Sequence, residues 1–397
     1  MRLKILHNPK IVYRMGDQIF RGGRITSLNL QRRRAASWGG IPGAVANSTL
    51  SAVHLSPVSV SSDPSPIHIP DTPVEPHKLV ESDIQDLAKD IRKELGGRHV
   101  ELCDVAAYYF DGQGKAIRPL ISILMARAIN AHLNGGDSFI KTSQRQLALV
   151  SEMIHTATLV HDDVIDTSDT RRGKPSVNAL FGQKKAIIGG DYILAKAGAM
   201  VARLNNDEVT QILAQVLEDL VQGEFMQMGA NDGTSERFTH YIGKTFNKTA
   251  SLMAYSCKGV AILGGSDESL AEMAFQYGKH VGIAFQLIDD LLDFVSSTQT
   301  MGKPAAADLQ LGLATAPVLY AAQKHPQLNE LIERRFSKPG DVQKALDCVH
   351  NSDGLEQTKF LAQKYCLEAV HYANTLIDSS YQKALINITE KVLNRSK

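Results

Sequence analysis

The sequence predicts an all-α fold, a single large helical bundle over residues 78–397. From Leu79 onward Ala, Leu, Ile and Met recur at three- and four-residue spacing, the period of a helix face. Strand-like alternation is absent, and aromatics, which favour strands, are only 6% of the chain. Breaks at Gly96-Gly97, 112–114, 134–136, 172–175, 205–206, 231–233, Gly264-Gly265, 302–304 and 338–340 divide the region into about ten to thirteen helices. A region of about 320 residues exceeds the usual domain size. Helices this uniformly apolar still argue for one bundle with a buried centre.

The region before the bundle differs in composition. The whole chain has 397 residues, a formal net charge of +1 and 43% hydrophobic residues. That suffices for a large core and gives no bulk sign of nucleic-acid binding. Residues 1–62, however, hold nine Arg or Lys and one acid, Asp17, with frequent Ser and Thr. An Arg- and Ser-rich, acid-poor start predicts a mitochondrial transit segment; the alternative is a basic arm touching RNA or membrane. Residues 63–77 form a Pro/Ser-rich linker, and eight of the fourteen prolines fall by Pro76, a composition that cannot pack a core. The four cysteines, Cys103, Cys257, Cys348 and Cys366, form no CxxC pair. This argues against zinc or a disulfide framework and fits a reducing compartment. No apolar run reaches the ~18 residues of a membrane span.

The bundle's motifs follow in chain order. Asp111–Leu120 reads DGQGKAIRPL. Lys115 and Arg118, three apart beside a Gly-rich turn, share a helix face and suit a phosphate group. Glu152–Asn178 reads EMIHTATLVHDDVIDTSDTRRGKPSVN and sets Asp162, Asp163 and Asp166 in an apolar helical pattern. Asp162 and Asp166, four apart, share one face. His155 lies two turns earlier, roughly 10 Å along the axis. Carboxylates so spaced suit Mg²⁺, which takes one or two of them and completes its shell with phosphate oxygens and water. Arg171 and Arg172 follow in a loop closed by Gly173 and Pro175. Acids for a metal and arginines for phosphate read as a diphosphate site.

Gly189-Gly190-Asp191 is expected to open a helix with Asp191 as its N-cap. Gly223, inside a helix in Gln222-Gly223-Glu224, is expected to serve close packing or substrate room. Two Lys-Thr pairs follow, Lys244-Thr245 and Lys248-Thr249. Phe285–Phe294 then reads FQLIDDLLDF, repeating the acid spacing at Asp289, Asp290 and Asp293, with Gln286 three before Asp289. Two acid triplets inside apolar helices would be costly to bury without a compensating metal or cation.

These motifs, with MGKPAAADL after the second triplet, resemble the long-chain branch of the trans-prenyl diphosphate synthases. The resemblance runs from about Leu79 to the end of the sequence and covers six motifs in the family order. It implies the isoprenoid synthase type of bundle with a central substrate cavity. It implies a transferase joining an allylic diphosphate, farnesyl or geranylgeranyl, to successive isopentenyl diphosphates. The product would be an all-trans chain of about C40–C50 for the ubiquinone side chain, made in the mitochondrial matrix. Mg²⁺ is the implied cofactor, three ions per site with substrate bound, on Asp162 and Asp166 from one side and Asp289 from the other. Asp163, Asp290 and Asp293 would orient ligands or waters. Arg171, Lys248, Thr249, Gln286 and Lys303 would meet the allylic diphosphate; Lys115, Arg118, His155 and Arg172 would meet the isopentenyl one. The family's Lys-Thr pair matches Lys248-Thr249, which makes Lys244-Thr245 a decoy. Gln113 replaces a family glycine, and Ala116 an arginine-like position. Partners implied are a second copy or a second synthase subunit, with a peripheral membrane contact for product release.

A chain anchored at Asp162 and Asp166 must grow along the helix toward earlier residues. Thr158 and Ala157 lie one turn up, where short-chain members carry bulky aromatics. Their small side chains imply a tunnel continuing past Ile154 and Met153 towards Val150. Competing readings are a geranylgeranyl-type synthase, a terpene cyclase, a non-catalytic partner subunit and a helical scaffold. A cyclase would show one DDxxD, a partner subunit would have lost acids or cations, and a scaffold leaves six buried acids unexplained.

Overall fold

The structure, a computed structural model, describes residues 74–112, 114–229, 236–295 and 306–395. The transit segment, most of the linker, Gln113 and Lys303 lie outside the described residues. The described chain forms α1 Pro76–Leu79, α2 Glu81–Ile84, α3 Leu87–Glu94, α4 Val100–Ala107, α5 Ile117–Leu133 and α6 Thr142–Ile165. A hairpin of β1 Thr170–Arg171 and β2 Lys174–Pro175 precedes α7 Val177–Phe181, α8 Gln183–Arg203 and α9 Asp207–Met228. Then come α10 Arg237–Thr245, a π-helical turn Phe246–Ala250, α11 Ser251–Gly264 and α12 Glu268–Val295. The remainder is α13 Ala307–Gln310, α14 Ala316–Lys324, α15 Leu328–Glu333, α16 Asp341–His350, α17 Gly354–Ala373 and α18 Ser380–Leu393. Thirteen of these helices have eight or more residues, as the break pattern predicts. Helix begins at Pro76, inside the expected linker, with proline in the first turn, where its missing N–H costs nothing.

α5, α6, α11 and α12 form the centre. α5 buries residues on every side, Leu120, Ile123, Leu124 and Ile129 among them, as a helix enclosed by others must. Each such Leu or Ile contributes roughly 1.5–3 kcal/mol by leaving water. α8 and α9 flank α6 and α11, while α17 and α18 pack on α12. Gly278 lets α12 lie directly on α11 and Gly282 lets it lie on the π turn: a Cβ at Gly278 would stand 2.7 Å from the Met253 carbonyl oxygen, and one at Gly282 2.6 Å from Ala250 Cα. That approach sets the second acid motif beside the π turn. α18 also meets the beginning of the described chain, where Asn387 donates to the Val74 carbonyl at 2.9 Å and Lys391 pairs with Glu75 at 2.7 Å.

Two local expectations need correcting. Gly189 and Gly190 lie inside α8 and do not open it. Cβ atoms there would strike Val105 Cγ1 and the His161 ring, so these glycines serve helix packing. The hairpin of two-residue strands is too short for any alternation to show. Its tip, Arg172-Gly173, has φ of 53° and 76°, positive at both central residues as in a type I′ turn.

Candidate active site

The first acid motif ends α6, and its three carboxylates divide their work. Asp163 is fully buried. The Tyr109 hydroxyl donates to its Oδ2 at 2.6 Å, and Arg171 donates Nε–H and Nη2–H to its Oδ1 at 3.0 and 2.5 Å. The Val177 N–H donates to the same tyrosine at 3.1 Å. Asp162 is half-buried. Burial raises its pKa to about 6; Lys248 opposes that rise, while Glu224 and Asp166 reinforce it. Asp166 ends the helix, and burial raises it too, again against Lys248.

The second motif, on α12, repeats the arrangement. Asp290 is buried, accepting from the Tyr241 hydroxyl at 2.5 Å and from Gln286 Nε2–H at 2.7 Å. Thr249 in turn donates its hydroxyl to Gln286 Oε1 at 2.8 Å, tying the π turn to α12. Burial raises Asp289 to about 6, with Arg395 as its chief opposing charge. Arg395 Nη1 lies 2.6 Å from Asp289 Oδ1, and its guanidinium sits 4.3 Å from the Phe285 ring centre. Asp293 accepts from the Ala307 and Asp308 N–H groups at 3.1 and 3.0 Å and caps α13. Asp163, Asp290 and Asp293 thus hold protein groups in place.

The hairpin distributes the arginines. Arg171 is held on the first motif by Asp163. Arg172, at the tip, turns towards the 111–118 loop, where a Cβ at Gly114 would stand 2.7 Å from its Nη1. Lys174 fastens hairpin to loop through the Asp111 carboxylate at 2.6 Å and the Tyr108 carbonyl at 2.9 Å. Arg118 is the second residue of α5. Burial lowers its pKa to about 10; Glu152 and Asp289 oppose that fall and Arg172 adds to it. Among the described residues its buried Nε–H has no hydrogen-bond partner. A donor left so is costly unless an anion arrives. His155 lies in the same field: burial first, then Arg118, Arg172 and Arg171, drives its pKa well below the usual imidazole range. Burial among these cations favours the neutral imidazole.

Lys115 corrects the expected helix face. Ala116 has φ 46°, and α5 starts only at Ile117, so Lys115 precedes the helix. It still acts on Asp289, whose pKa its charge lowers.

Lys248 lies on the π turn, a local widening frequent at functional sites. Its Nζ pairs with Glu224 Oε2 at 2.5 Å. Gly223 makes this possible: a Cβ there would stand 2.8 Å from the Lys248 backbone nitrogen. Of the two expected uses of Gly223, close packing is the one seen. Lys244 lies in the field of Asp290, Asp308, Lys248 and Glu224, and burial lowers its pKa. It is a member of the charge cluster. Ala157, Ile154, Met153 and Val150 are buried in the main core, while Thr158 is partly exposed and donates to the His155 carbonyl at 2.8 Å.

Sequence reading missed Tyr109, Tyr241, Glu224 and Arg395. None belongs to a DDxxD pattern, and each comes to its partner from another element. Among the described residues no three His, Cys, Asp or Glu side chains converge closely enough to hold a metal alone. Asp162, Asp166 and Asp289 offer hard oxygens that burial makes reluctant to stay charged. Such a donor set fits Mg²⁺ completing its shell with phosphate and water.

An all-α bundle with paired acid motifs and converging cations defines an isoprenoid synthase. The chain belongs to the polyprenyl synthetase family, whose pattern matches residues 99–349. It is 55% identical over 323 residues to mouse all trans-polyprenyl-diphosphate synthase PDSS1, covering 81% of this chain and 79% of that one. It is 40% identical over 390 residues to a probable hexaprenyl pyrophosphate synthase, mitochondrial, of Yarrowia lipolytica, covering 82% and 86%. Among solved structures it resembles polyprenyl synthase from Caulobacter crescentus complexed with calcium and isoprenyl diphosphate. That match has a TM-score of 0.73 and 29% identity, covering 81% of this chain and 97% of the other.

Proposed function

We propose that this protein is a mitochondrial trans-prenyltransferase that extends an allylic diphosphate with successive isopentenyl diphosphates. Its product is a long all-trans polyprenyl diphosphate, about eight to ten isoprene units by family resemblance, destined for the ubiquinone side chain. One observation carries the reading. Each of the two acid motifs has its second aspartate held by a buried tyrosine, while burial raises its first to a pKa of about 6.

Cations in two groups support two diphosphate positions. Arg171 and Lys248 act on Asp162 and Asp166; with Lys303 they hold the allylic diphosphate. Arg118, Arg172 and His155 act on one another; with Lys115 they hold the isopentenyl one. The allylic C–O bond breaks and its electron pair leaves with the diphosphate. The isopentenyl double bond attacks the allyl cation, and the proton it then sheds goes to the released diphosphate. Fixed cations stabilise developing charge best in a site closed to water. Mg²⁺ on Asp162, Asp166 and Asp289, when bound, supplies further charge neutralisation. Three ions per site is the expected number. Thr249 and Gln286, bonded to each other, line the allylic side. Ala157, Thr158 and Ile154 leave the growing chain its path.

The basic, acid-poor residues 1–62 direct the chain to the matrix. A second synthase subunit, another copy or a homologue, sits on the exposed apolar residues Leu217, Val221 and Phe225 of α9 and Ile187 and Ile188 of α8. Light scattering of the purified chain reads this assembly. For activity, the purified chain is given labelled isopentenyl diphosphate, farnesyl diphosphate and Mg²⁺. Chromatography should show products well beyond geranylgeranyl. Absence of any condensation, alone and with a second subunit added, would overturn the reading.

A further inference from the structure

Glu224 has no place in either acid motif, yet it lines one cavity with Asp166, the last aspartate of the first motif. The Glu224 carboxylate is 2.5 Å from Lys248 Nζ, with the two side chains 16% and 23% exposed. The preceding residue, Gly223, brings α9 onto the backbone of the π turn, where a Cβ would meet the Lys248 nitrogen at 2.8 Å and Asn247 Cβ at 3.1 Å. On the far side of that turn, Thr249 is fixed to Gln286 at 2.8 Å. The turn's backbone is therefore held between two helices, and the one long flexible arm on it is steered by Glu224.

We propose that Glu224 is a positioning residue that holds the Lys248 ammonium in place for the diphosphate of the allylic substrate. The proposal rests on the prenyltransferase reading. A lysine is a point charge on a flexible four-carbon stem with many rotamers. A substrate that had to order it would lose that ordering from its binding energy. Glu224 orders it beforehand. The same carboxylate competes with the diphosphate for the ammonium, so it improves placement without tightening the ground state. Loss of its charge should then lower turnover more than affinity.

Glu224→Gln keeps size and removes the charge. In the full chain, with its partner subunit where one is needed, kcat should fall by about tenfold or more, as a lost preorganised contact does. Affinity for unreactive farnesyl thiodiphosphate with Mg²⁺, read by calorimetry, should stay equal or become tighter. KM for isopentenyl diphosphate should not move. In a Lys248→Met background the same change should alter kcat by less than about twofold, because residues acting through one another are non-additive. Glu224→Asp should restore part of the turnover. An unchanged kcat in Glu224→Gln, an undiminished effect in the Lys248→Met background, or a wild-type melting temperature lost in both Glu224 variants overturns the proposal. A wild-type chain that condenses nothing overturns the prenyltransferase reading instead.

Discussion

Arg395 and Asp289 form a 2.6 Å ion pair across 106 residues, placing a guanidinium against the first aspartate of the second acid motif. Asp289 is the carboxylate assigned to metal on that side, so the arginine occupies the position of a counter-charge. Arg395→Ala should leave Asp289 with less to oppose its burial. The acid limb of the pH–rate profile should then move to higher pH, and Arg395→Lys should move it less. An unshifted limb in Arg395→Ala would show that the pair does not govern this carboxylate.

Asp162→Ala and Asp289→Ala each remove the first carboxylate of an acid motif and no core volume. Turnover should be abolished with Mg²⁺ present while the helical circular-dichroism spectrum stays unchanged. Near-normal activity in either would sink the metal assignment.

Asp162 and Asp289 have pKa values of about 6 against an ordinary 3.8. Between these values the folded chain holds protons that the unfolded chain has released. Their contribution to stability is therefore present below pH 3.8 and lost as pH rises through about 6. Divalent cation restores what deprotonation removes. Mg²⁺ with inorganic diphosphate should raise the melting temperature more at about pH 7.5 than at about pH 5. Equal shifts at both would refute the assignment of these pKa values.

Tyr109→Phe leaves Asp163 with Arg171 alone, and Tyr241→Phe leaves Asp290 with Gln286 alone. Each loses a hydrogen bond to a buried carboxylate, about 1.5–3 kcal/mol by urea unfolding. Tyr109→Phe should also raise the allylic KM, because Arg171 loses part of its support. Full stability in both variants would mean the tyrosines only fill space.

Ala157 is fully buried in the core, so Ala157→Phe inserts a ring into packed volume, typically at 1–3 kcal/mol. If the growing chain runs past this point, the variant should accept primer but stop after a few condensations. Full-length product from a folded variant would place the path elsewhere.

Much of this was legible in the sequence. The acid triplets, the Arg171-Arg172 pair and the Lys248-Thr249 pair are local patterns, and local patterns survive being read in one dimension. The partners that give them geometry do not. Tyr109 lies 54 residues from Asp163, Tyr241 49 from Asp290, and Glu224 reaches Lys248 only because α9 packs on the π turn. Lys115 and Arg118 do not share a helix face because a single left-handed residue, Ala116, starts the helix only at Ile117, after Lys115. A glycine pair at a helix start and one at a helix crossing, as at Gly189-Gly190, look alike in sequence. Lys244, one turn before Lys248, lies in the same charge field.

The position of α18 has a consequence for truncation. Residues 380–395 close onto Val74 and Glu75 at one end and supply Arg395 to Asp289 at the other. A chain cut before Ser380 loses both closures at once: the first described residues lose their hydrogen-bonded anchor, and Asp289 loses its counter-charge.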